Sequence, residues 1–107
     1  MKRSEILDAA RKCVCGEREQ EYGSPENNFE TIGLLWSVYL RSAHPEINLA
    51  INGITAKEVA AMMALLKIAR IASGHGKDDN WVDLSGYAAC GGEIEAEGRP
   101  EREGADE

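Results

Sequence analysis

The stretch from Val59 to Ala72, "VAAMMALLKIARIA", constrains this chain most. It is apolar at nearly every position, so a helix built from it has no polar face to give to water. Such a helix must lie at the centre of a bundle or be sandwiched in an oligomer. It is too short for the ~20 residues of a membrane span. Two cations interrupt it, Lys67 and Arg70, three residues apart and on one helical face with Ala56, Ala60 and Met63. An unpaired buried charge costs several kcal/mol. Lys67 and Arg70 therefore require water, an acidic partner or an anionic ligand.

The remaining helices follow from caps and periodicity. "TAKE" at 55–58 reads as a capping box, with Thr55 as N-cap and Glu58 reaching back. That role explains Glu58 without a metal. Helix three then runs to about Ser73. Upstream, Ser4 is a suitable N-cap for a first helix carrying Ile6, Leu7, Ala10, Cys13 and Val14 at helical spacing. The polar "GEREQEYG" reads as a helical extension or connector. Helix two starts with Ser24 as cap and Pro25 at the first helical position. Its expected inner stripe is Phe29, Ile32, Trp36, Tyr39 and Ala43, widened by Leu35 and Val38, with Thr31, Ser37 and Arg41 outward. Helix four spans "NWVDLSGYAACGGEIEAE", capped by Asp78, Asp79 or Asn80. The pattern predicts an all-α, four-helix, bundle-like domain over 1–97 that self-associates through helix three. Residues 98–107 are expected to be a disordered acidic tail.

With 107 residues there is room for one modest core. A net charge of −7 argues against direct binding to nucleic acid or to an anionic membrane. The N-terminus shows no apolar signal region, so a cytoplasmic location is expected. Cys13, Cys15 and Cys90 are odd in number, and C-x-C lacks the C-x-x-C spacing of zinc and redox sites. No Walker, Rossmann or nucleophile-elbow pattern is present.

Asp83 is the one acid between Trp81 and Gly92. Antiparallel packing of helices three and four would bring it to Lys67 or Arg70 as an interhelical ion pair. One positive charge then remains, and an arginine fork suits a phosphate or carboxylate. Arg18, the Tyr22-Gly23 turn and the Asn28 amide are candidates to approach the same site. A second constellation is carboxylate: Glu26 with Glu30, and Asp79 with Asp83, each four apart. Pairs like these from facing helices hold Mg²⁺ in bundles. Acids are also favoured in a first helical turn by the dipole alone, so both pairs are expected without a metal.

"GEREQEYGSPENNFETIGLLWSVYL", "ITAKEVAAMMALLKIARI" and "NWVDLSGYAA" resemble a family of small phage and prophage proteins known mainly as a domain of unknown function. A more distant likeness is to phage nucleotide-modification-associated domains, and beyond them to the all-α, MazG-like nucleotide pyrophosphohydrolases. That likeness implies a nucleotide ligand and, if the protein is catalytic, Mg²⁺ held by Asp83 with Asp79, Glu26 or Glu30. Lys67, Arg70 and Arg18 would then neutralise the phosphates. Those enzymes carry E-x-x-E and E-x-x-D helices, whereas the acids here are at i, i+4, which puts hydrolysis in doubt. The alternative is a non-catalytic helical module that binds a phage or host protein, with Lys67–Asp83 purely structural.

Overall fold

In the computed structural model, residues 1–16, 25–74 and 77–98 are described, those at 25–27 by backbone alone. The described residues form four helices and no strand: α1 (Arg3–Val14), α2 (Pro25–Ala43), α3 (Ala56–Ala72) and α4 (Asp78–Glu97). The chain is thus all-α and bundle-like. Its helices pack in the order α1–α4–α3–α2, with only slight contact between α2 and α4. The array is therefore open along α2 and α3. The expected tail from 99 onward lies outside the described residues, as does the connector at 17–24.

The α3 capping box forms as the sequence predicts. Thr55 Oγ1 accepts from the Glu58 N–H at 3.4 Å, and Glu58 Oε1 accepts from the Thr55 N–H at 2.9 Å. The Thr55 N–H and, at 3.1 Å, its Oγ1–H both donate to the Glu58 carboxylate and hold that carboxyl below its ordinary value of 4.5. A depressed carboxyl contributes stability above its unfolded-state value and loses it as pH falls through the folded one. Thr55→Ala is accordingly expected to cost about 1 kcal/mol at neutral pH in urea unfolding. The gap between variant and parent should narrow on acidification below Glu58's ordinary range, because the Oγ1–H bond to the carboxylate is the part lost, and a gap independent of pH would count against that bond.

Other ends depart from expectation. Helix α1 starts one residue before Ser4 can cap it; the Lys2 N–H donates to Glu5 Oε1 at 2.7 Å instead. Helix α4 begins at Asp78, preceded by Lys77, so Asp78 and Asp79 lie in the first turn, and Asp78 pairs with the N-terminal amine at 3.3 Å. Asn80 is inside the helix and buried.

The core comprises Phe29, Ala56, Val59, Ala60 and Cys90, with Val14, Trp36, Met63 and Tyr87 among the partly buried residues packed on it. Phe29 and Tyr87 rings meet at 6.0 Å, tilted by 42°. The inner face of α2 departs from the expected stripe. Ser37, expected outward, is 2% exposed, whereas Tyr39, Leu35 and Val38 are exposed. Phe29, Ile32 and Trp36 of that stripe do pack in the core. The buried row follows Phe29, Gly33 and Ser37 at four-residue steps. Small residues occupy it because the segment before α3 lies directly against α2. Ser37 Oγ donates to the Gly33 carbonyl at 2.7 Å and accepts from the Ile54 N–H at 2.8 Å. No helix among the described residues is long and apolar enough to cross a membrane.

Candidate functional site

Helices α3 and α4 meet in antiparallel register. Arg70 lies by Asn80, Lys67 by Asp83, and a Cβ on Gly91 would touch Ala60, so partners on α4 advance as those on α3 retreat. The register follows from the short connection between the helices. It places two polar rungs side by side on an otherwise apolar contact.

The first rung is the predicted ion pair. Lys67 Nζ is 3.0 Å from Asp83 Oδ2, with the lysine side chain 17% exposed and the aspartate 39% exposed. The lysine is therefore largely desolvated, while its partner keeps contact with water. In the second rung, the Arg70 Nε–H donates to Asn80 Oδ1 at 3.3 Å. Asn80 is only 5% exposed, and Arg70 lies on the exposed side. Among the described residues Arg70 has no carboxylate at ion-pair distance. A bond through Nε anchors the guanidinium and leaves the terminal nitrogens of its fork for a second acceptor. Asp83 offsets Lys67, so Arg70 is the net positive charge of the group.

Asn80 was readable in the sequence only as a cap. The signal for its pairing was there: Asn80 precedes Asp83 by three residues as Arg70 follows Lys67 by three, the mirror spacing that antiparallel helices require. The other candidate residues are not gathered here. Asn28 and Glu30 are exposed on α2, which barely meets α4. Asp79 is exposed in the first turn of α4. Arg18, Tyr22 and the Glu26 side chain lie outside the described residues. Among the described residues, no three His, Cys, Asp or Glu side chains gather as a metal site. Asp83, the acid common to every candidate set, is already on Lys67. The described carboxylates Glu30, Asp79 and Asp83 thus do not form a group of three, and the Glu26 side chain lies outside the described residues. Cys13, Cys15 and Cys90 form no disulfide.

Residues 5–95 match a family described as a domain of unknown function (DUF6378). The chain belongs to this family. It is also 38% identical over 85 residues to the Gene 55 protein of Mycobacterium phage D29, covering 79% of this chain and 50% of that protein. The Gene 55 protein of Mycobacterium phage L5 is 39% identical over 83 residues, covering 78% of this chain and 47% of that one. This DUF6378 chain thus spans about half the length of the curated relatives it matches. Its phage kinship agrees with the resemblance read from the sequence. No solved structure matches it significantly.

Proposed function

We propose that this DUF6378 protein binds a phosphate-bearing small molecule, in our reading a nucleotide, on the α3–α4 face made by Lys67, Arg70 and Asn80. One observation carries the reading: Arg70 is anchored through Nε to a buried amide while being exposed and without an ion pair among the described residues. An arginine held this way presents a rigid pair of donors to a phosphate with little further loss of side-chain freedom. Lys67, fixed and offset by Asp83, adds an ammonium donor one helical turn away but no net charge. Binding alone is proposed, in the host cytoplasm where nucleotides are found. Mg²⁺ would enter, if at all, with the ligand's phosphates.

Thermal unfolding with deoxynucleoside triphosphates, with and without Mg²⁺, tests this. A ligand at ~100 times its dissociation constant stabilises by ~2.7 kcal/mol, enough to raise the melting temperature by several degrees. Arg70→Ala is expected to remove that shift while changing the unliganded stability by about 1 kcal/mol or less. An equal shift in Arg70→Ala and parent, or none in the parent, sinks the reading. The second reading, a non-catalytic interaction module, is favoured by the exposed apolar faces of α2 and α3. It predicts no nucleotide response.

A further inference from the structure

The open side of the helix array has an unusual surface. Along the outer face of α2, Leu34, Leu35, Val38 and Tyr39 are each 61–65% exposed. Thr31 and Ser42 share that face, which Glu30 and Arg41 border. On α3, Met62, Leu65, Leu66 and Ile68 are 44–64% exposed, with Ala61 and Ala69 between them. Of the charges of α3, Glu58 heads this face, four residues before Met62, with Lys57 beside it in the first turn, whereas Lys67 and Arg70 lie toward α4. Inside the protomer, the one large side chain that is completely buried among the described residues is Val59. More large apolar side chains thus lie on the outside of α2 and α3 than inside the core.

We propose that a second copy of this chain covers these two faces, pairing α2 and α3 of one protomer with α3 and α2 of the other about a two-fold axis. Three features choose a second copy over another occupant. The first is area. Eight large side chains with about half or more of their surface in water present roughly 800 Å², the share that each partner gives to a standard interface of ~1,600 Å². A monomer rarely leaves an apolar patch of that size uncovered. The second is charge. Two chains of net charge −7 repel each other, and the outer faces of α2 and α3 carry few charges: Glu58 in the first turn of α3, with Glu30 and Arg41 bordering the α2 face. Within the α3 face a basic partner would find a single acid, Glu58, whose carboxylate already accepts from Thr55. The third is geometry. Two neighbouring helices with matched aliphatic faces are self-complementary under a two-fold operation, which pairs each face with its counterpart. The proposal is independent of the ligand reading, because Lys67, Arg70, Asn80 and Asp83 lie on the α4 side of α3.

Sedimentation equilibrium of the whole chain tests it. The parent should show twice the 11.7 kDa chain mass at ~10 µM. Leu35→Glu and Leu65→Glu, both at exposed positions, should each shift the mass to a single chain with helicity retained. A protomer with so small a core could lose its fold along with its partner, so a second measurement uses the parent alone. Its urea midpoint should rise with protein concentration, because dissociation is coupled to unfolding. A single-chain mass with a concentration-independent midpoint overturns the proposal. It would point to cover from within a longer chain, as the unmatched half of the Gene 55 relatives could supply. A dimer indifferent to both substitutions overturns it equally.

Discussion

Gly33→Ala is expected to destabilise the fold by about 3 kcal/mol or more, a large loss for a single methyl group. A Cβ at Gly33 would overlap the carbonyl oxygen of Ile54 and sit 3.2 Å from its carbonyl carbon. Relief by side-chain rotation is unavailable, because the obstacle is backbone. Nor can the backbone retreat cheaply. Ile54 is tied by its N–H to Ser37 Oγ, and Ser37 is tied in turn to the Gly33 carbonyl. The next residue, Thr55, caps α3. Moving Ile54 away therefore breaks a buried hydrogen bond, at about 1–3 kcal/mol, and disturbs the start of the central helix. Urea unfolding of Gly33→Ala beside Gly92→Ala checks this. A Cβ on Gly92 meets nothing within 4 Å, and Gly92 lies inside α4. Gly92→Ala should be neutral or stabilise by about 0.5–1 kcal/mol. A loss below about 1 kcal/mol for Gly33→Ala would show that the α2 contact with the 53–55 segment is loose.

That contact also marks where the sequence stops being legible. Pro25, the Thr55–Glu58 box and the apolar runs locate the helices because caps and periodicity are local properties. The Lys67–Asp83 pair is legible too, since both are isolated charges in apolar stretches joined by a short loop. Gly33 and Ser37 are not, because a rule that looks for large apolar residues passes over the small ones that let backbone approach backbone. Tyr39, Leu35 and Val38 mislead for the opposite reason. An apolar side chain reads the same whether its own chain or another molecule covers it. The candidate site is legible in its charges and incomplete in its neutral member, Asn80, which resembles a helix cap until the α3–α4 register is known. The carboxylates at Asp79 and Asp83 fall into first-turn and ion-pair roles that the dipole and Lys67 already explain, and Glu30 stands exposed beyond the first turn of α2.

Asp83→Lys should be the most damaging change at the polar rungs, costing about 3 kcal/mol. Removing a partner from a fully buried pair costs roughly 3–5 kcal/mol and from an exposed pair roughly 0–1. Lys67–Asp83 lies between these limits, with the lysine 17% and the aspartate 39% exposed. Asp83→Ala, which leaves Lys67 largely desolvated without its partner, is therefore expected to cost about 2 kcal/mol. Replacing the acid by a second ammonium adds repulsion to that loss. The swapped double variant, Lys67→Glu with Asp83→Lys, restores opposite charges across the same antiparallel contact and should recover at least half of the Asp83→Lys loss. Such recovery is a coupling that a double-mutant cycle isolates, and neither side chain's packing alone can produce it. The Arg70–Asn80 rung is spatially separate, so the nucleotide response of Arg70 should survive the swap in weakened form, with Lys67's positive charge now moved to α4. Additive losses in the swapped variant would mean that Lys67 and Asp83 stabilise the helices independently. The polar face between α3 and α4 would then be held by packing around it, and the 3.0 Å contact would contribute nothing of its own.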